Sequence, residues 1–105
     1  MLLGIGGVGV ELYKDTVIRM APLAERDVAS MLRSLKARAL LEGFRGAAPV
    51  NVELLTTLLM KFSALAVESA GAVESIDLNP VICSAARCAA ADARIVLSPR
   101  PRPRP

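Results

Sequence analysis

At Gly71 the apolar pattern of this 105-residue chain changes period. Upstream of it the longest patterned stretches repeat at helical spacing; downstream they alternate, as they must on a strand whose successive side chains face opposite ways. Helical and extended segments therefore come in blocks. A parallel sheet needs strand and helix in repeated alternation, so the block order points instead to helices packed on antiparallel strands.

The blocks arise from local signals. GVGVELY, residues 7–13, alternates enough to predict a strand leaving a tight glycine loop, and TVIRMA, residues 16–21, predicts a second, with Lys14–Asp15 as the hairpin turn between them. A helix is expected after Pro22, because Val28, Met31, Leu32 and Leu35 fall at i, i+3, i+4 and i+7. Glu25 and Asp27 lie at its start and Arg33, Lys36 and Arg38 near its end, the order that suits the helix dipole. Gly43, Gly46 and Pro49 make residues 40–51 a loop. Asn51 then caps a second helix that Gly71 ends. Its stripe of Val52, Leu55, Leu59, Phe62 and Ala66 reads as ordinary core, and Met31 and Met60 as packing filler. VESIDLN, VIC and AAADARIVL come next as strands, with SAAR as a short loop. The order β-β-α-α-β-β-β gives the fold class: α+β, an antiparallel sheet with two packed helices.

Composition narrows the function. Three of the 13 basic residues, Arg100, Arg102 and Arg104, lie in the terminal string SPRPRPRP, which leaves residues 1–99 electrically neutral with ten basic and ten acidic side chains. A neutral body with 3% aromatic residues argues against nucleic acid as a partner. Glu11, Lys14, Lys61 and Glu68 interrupt every apolar run long enough to suggest a membrane span. MLLGIGGVGV is uncharged but has no basic leader, so a cytoplasmic protein is expected. The tail, residues 98–105, reads as an extended, disordered arginine-proline appendage. With no histidine and two cysteines, neither a histidine-based zinc site nor a disulfide framework is available. Chemistry is left to carboxylates, amides and backbone.

Two constellations could carry it. Gly4, Gly6 and Gly9 satisfy G-x-G-x-x-G, but that motif works between a preceding strand and a following helix. Only three residues come before Gly4 and the segment after the motif reads as strand, so the glycines are either a hinge beside a strand or a loop open to a nucleotide. The second lies in ESIDLNP, residues 74–80, and AAADAR, residues 89–94. A hairpin centred between Ala85 and Ala86 would place Asn79 opposite Asp92, with Cβ atoms about 5 Å apart. An amide oxygen and a carboxylate there form part of a shell suited to Mg²⁺. The plain alternative has Asp77 capping a turn, Asn79 in an extended dipeptide before Pro80, and Asp92 paired with Arg94. The same register opposes Cys83 to Cys88, read as reduced, unpaired and non-catalytic for want of a histidine to activate them.

GIGGVGVELYKDTVIRMAPL, LLEGFRGAAPVN, ESIDLNPVI and ADARIVL, in this order, make residues 1 to about 97 resemble the C-terminal part of the ATP-grasp domain of ADP-forming acyl-CoA synthetases, relatives of the succinyl-CoA synthetase β subunit. The resemblance implies a C-terminal ATP-grasp lobe over residues 1–97, with ATP or ADP held between two lobes and Mg²⁺ bridging its phosphates. It implies metal contact through Asn79 and Asp92, with Asp77 close behind them. Glu11, Arg19, Arg45, Gly6 and Gly7 match recurring positions and are the implied nucleotide-binding set; Gly46 also matches a recurring position.

The reaction implied turns acyl-CoA, ADP and phosphate into carboxylate, CoA and ATP through a phosphohistidine. That histidine would sit on a partner, the CoA-binding and phosphohistidine domain, and the upstream lobe that supplies the adenine pocket would be another partner. The chain alone would then be inactive. The alternative is a non-catalytic binding or regulatory remnant of such a domain, as in a truncated gene or an acetyltransferase fusion.

Overall fold

In the computed structural model, residues 1–4, 16–35, 41–42 and 49–99 are described. The expected strand over 7–13, the turn at Lys14–Asp15 and the site candidates Gly6, Gly7, Glu11 and Arg45 lie outside them.

Two short strands open the chain. β1 (Leu2–Gly4) pairs antiparallel with β2 (Thr16–Ile18), Leu2 opposite Ile18 and Gly4 opposite Thr16. This corrects one expectation: a strand lies ahead of Gly6, where none was expected, and it pairs with β2. β2 is also shorter than TVIRMA: it stops at Ile18, and the Ala21–Pro22 peptide, which is cis, comes soon after.

Helix α1 (Glu25–Ser34) forms where the period predicts it. Its first turn is closed by Asp27, whose Oδ2 accepts a hydrogen bond from the Ala24 N–H at 2.7 Å, and Arg33 stands in its last turn. Val28 and Met31 are fully buried, with Leu32 and Leu35 beside them. A side chain of this size stabilises by about 1.5–3 kcal/mol when removed from water.

Leu41 and Glu42 are helical, not loop as expected. Helix α2 (Val52–Glu68) begins at Asn51, whose Oδ1 accepts from the Leu54 N–H at 3.0 Å. It ends at Ser69, and the chain then turns through Gly71 at φ 91°, a left-handed conformation that costs glycine no Cβ clash. The buried line along α2 is Leu55, Leu59 and Ser63, while Val52 is 44% exposed. The expected stripe is thus rotated, and Ser63 takes the inner place expected for Phe62. Leu23 explains this, because its backbone N–H lies in the core and needs the Ser63 hydroxyl as acceptor, at 2.8 Å.

The C-terminal block is one long hairpin in two ladders. β3 (Val73–Leu78) pairs with β6 (Ala93–Leu97), and β4 (Val81–Cys83) with β5 (Cys88–Ala90), both antiparallel. The segment expected as a single strand over 89–97 is interrupted at Ala91–Asp92, opposite Asn79–Pro80, where proline offers no N–H to the ladder. Among the described residues, three two-stranded ladders therefore stand where one sheet was expected. The class is α+β. Val17, Leu23, Val28, Met31, Leu32, Leu35, Leu55 and Leu59 form the core, from β2, the two helices and the residues flanking α1. β3 and β6 contribute nothing to that buried set. Among the described residues, no helix is long and apolar enough to cross a membrane.

Candidate functional site

The interruption of the long hairpin is where the acidic and amide side chains gather. Pairs on both sides of it share one register: Ile76 opposite Ile95, Asp77 opposite Arg94 and Leu78 opposite Ala93 before the break, then Val81 opposite Ala90 and Cys83 opposite Cys88 after it. Across the gap the Asn79 N–H donates to the Asp92 carbonyl at 3.2 Å, and the Ala91 N–H to the Pro80 carbonyl at 2.9 Å. Asn79 thus faces Asp92 by backbone hydrogen bonding, at the register the sequence suggests. Asn79–Pro80 is a cis peptide.

Strand parity sorts the side chains. Ile76 and Leu78 are half-buried, whereas Ser75, Asp77 and Asn79 are exposed, which is the predicted division of β3 into two faces. Asp77 and Asn79 share their face, opposite Arg94 and Asp92. Directly opposed side chains on such a ladder have Cβ atoms about 4.5–5.5 Å apart. In the register Arg94 stands across from Asp77. Asp92 Oδ1 accepts from the Ala93 N–H at 2.9 Å, which orients the carboxylate. No described residue donates a hydrogen bond to the side chains of Asp77 or Asn79.

This corner borders a groove of about 330 Å³ between β1, α2 and β3. Residues 1–4, Leu58, Leu59, Phe62 and residues 76–81 line it. The β1 wall was missed in the sequence; the cue would have been Met1–Leu3 as an apolar run just ahead of the glycines. Arg19 is held elsewhere. Its backbone continues the β1–β2 ladder against Met1, and its guanidinium donates to Ser30 Oγ of α1 at 3.3 Å and to the Ile18 carbonyl at 2.9 Å. It does not line the groove.

The oxygen set fits a hard cation. One amide and two carboxylates, all exposed, match the preference of Mg²⁺ for a few protein oxygens with water and phosphate completing its shell. Among the described residues no three of His, Cys, Asp and Glu converge, so a metal cage made of protein alone is absent.

Residues 1–97 match the sequence model of the ATP-grasp domain. The β subunit of acetate–CoA ligase (ADP-forming) I from Pyrococcus furiosus is 38% identical over 97 residues, covering 92% of this chain and 41% of that protein. Acetate–CoA ligase (ADP-forming) II of Archaeoglobus fulgidus is 42% identical over 101 residues, covering 96% of this chain and 15% of its own length. Among solved structures, an acetyl-coenzyme A synthetase from Ca. Korarchaeum cryptofilum, in complex with coenzyme A and Mg-AMPPCP, superposes with a TM-score of 0.85 at 42% identity, over 92% of this chain and 45% of that one. The chain spans less than half the length of each of these relatives.

Proposed function

This chain belongs to the ATP-grasp domain family, and from that premise we propose that it is a Mg-nucleotide-binding lobe of an ADP-forming acyl-CoA synthetase. The observation that carries the reading is the opposition of Asn79 and Asp92 across a continuous register, beside a groove that Asp77 and Asn79 help to line. Asn79, Asp92 and Asp77 are the residues we assign to Mg²⁺. When bound, the cation neutralises phosphate charge on ATP or ADP.

The chain's own contribution is positional. The backbone bond from Asn79 to Asp92 fixes the spacing of amide and carboxylate, and the Ala93 N–H holds the Asp92 carboxylate by one oxygen. Arg94 adds a positive group on the same face, suited to a phosphoryl oxygen. The Gly6, Gly7, Glu11 and Arg45 assignments to nucleotide stand on resemblance, and Arg19 would act through the β1–β2 ladder.

The reaction converts acyl-CoA, ADP and phosphate to carboxylate, CoA and ATP. Its phosphohistidine belongs to another domain or chain, because this one has no histidine. We assign residues 1–97 to the lobe, since the family match ends there, and 98–105 to an appendage. Leu2, Ile18, Met20, Ile95 and Leu97 are all more than half exposed, and we propose that the remainder of an ATP-grasp domain covers part of this surface. A nucleotide- and CoA-dependent reaction suits the cytoplasm.

Calorimetry with Mg-ATP tests the reading, for the chain alone and joined to the complementary part of an ATP-grasp domain. Asn79→Ala combined with Asp92→Ala is expected to weaken binding at least about tenfold, or ~1.4 kcal/mol, with an unchanged far-UV spectrum. A completed domain that binds no nucleotide, or binds equally well after both substitutions, refutes the assignment.

A further inference from the structure

The β4–β5 end of the hairpin carries a cluster that nucleotide binding does not use. Cys83 and Cys88 are the chain's two cysteines, and the register sets them directly opposite each other. Both are free thiols, half-buried against the helical core. The Cys88 thiol donates to the Asn51 carbonyl at 3.7 Å.

The backbone around them is held on each side. Ile82 opposes Ala89 on one side, while on the other the Ser84 N–H donates to the Arg87 carbonyl at 2.7 Å and Ser84 Oγ accepts from the N–H groups of Ala86 and Arg87. Opposed strand residues have Cβ atoms about 4.5–5.5 Å apart, and a disulfide needs about 3.5–4.5 Å. Closure therefore needs a movement of about 1 Å, beside the exposed four-residue turn from Ser84 to Arg87.

We propose that Cys83 and Cys88 are a redox-active dithiol that closes to a cross-strand disulfide on reaction with a small-molecule disulfide such as oxidised glutathione. The Cys88 thiolate attacks one sulfur of the glutathione disulfide, and one glutathione leaves as a thiolate that takes up a proton. Cys83 then loses its proton and attacks the Cys88 sulfur, releasing the second glutathione. The two protein thiols are oxidised and one disulfide is reduced to two thiols.

The order of attack is set by the surroundings. Burial first, and then the neighbouring Cys88, pushes the Cys83 thiol up to about 12, so Cys83 keeps its proton and follows as the second thiol to react. Once glutathione caps Cys88, the neighbour's share of that rise is removed, and burial, the larger cause, is what the closing step must overcome.

The test uses the full chain, reduced, desalted and equilibrated with oxidised glutathione, then alkylated with iodoacetamide and weighed intact. Closure predicts a mass lower by two hydrogens, at least about tenfold less alkylation than in the reduced chain, and a monomer on a non-reducing gel. Cys83→Ser should instead retain one glutathione on Cys88. Full alkylation after that treatment overturns the proposal, as does stable glutathione on the unsubstituted chain or disulfide-linked dimers as the main product.

Discussion

Ser63 is the buried polar side chain of the described core, 2% exposed in the middle of α2, and its hydroxyl accepts the Leu23 N–H at 2.8 Å. That bond joins the segment after β2 to α2 and lies where water does not reach. Replacing Ser63 by alanine removes the acceptor and leaves a buried N–H unpaired, which costs about 1–3 kcal/mol. Alanine returns about 0.5 kcal/mol through its better helix propensity. The net expectation for Ser63→Ala is a loss of about 0.5–2.5 kcal/mol, or roughly 2–20 °C in Tm for a domain of this size. Urea denaturation of the original chain and the variant, monitored by circular dichroism, reads the difference directly. The midpoint should fall with the slope unchanged, since little surface is altered. A loss below about 0.3 kcal/mol would mean that the hydroxyl does not satisfy Leu23 and that the rotated stripe on α2 has another cause.

The remaining expectations use the same assay. Asn51→Ala should cost about 1 kcal/mol through the lost cap, and Asn51→Asp less, because aspartate keeps the acceptor for Leu54 and loses only the 3.4 Å bond from Nδ2 to the Ala85 carbonyl. Leu59→Ala should cost about 2–5 kcal/mol and Val52→Ala under about 0.5 kcal/mol, since Leu59 is 5% exposed and Val52 44%; equal effects would contradict the rotation of α2. Cys83 has a pKa raised by burial first and then by Cys88, so its contribution to stability is fully present below pH 9.0 and is lost as pH rises from there toward about 12. Cys83→Ser should flatten that alkaline loss in denaturation curves measured across the same window. An unchanged pH profile would assign the loss to other groups.

Much of the site was legible because antiparallel pairing is arithmetic. Once a turn is placed between Ala85 and Ala86, the opposed pairs are determined from Ser75–Val96 to Cys83–Cys88, and Asp77–Arg94 and Asn79–Asp92 obey it; only beyond Ser75 does the register shift, at Val73–Leu97. Local capping chemistry was equally readable at Asn51 and Gly71, where one side chain or one missing Cβ decides the outcome. β1 was not: Leu2–Gly4 is too short to register as a strand until β2 is laid against it.

The sequence by itself determined the α+β class, the span and cap of α2, the inward face of α1 and the hairpin register, because each depends on residues near in the chain or on a single turn. Tertiary structure decided which side of α2 faces inward, since only the arrival of Leu23 from 40 residues away makes a serine the preferred inner residue. It also decided that β1, α2 and β3 enclose a groove beside Asp77 and Asn79. No local pattern encodes that meeting, because its walls come from three segments that are neighbours only after the helices have packed.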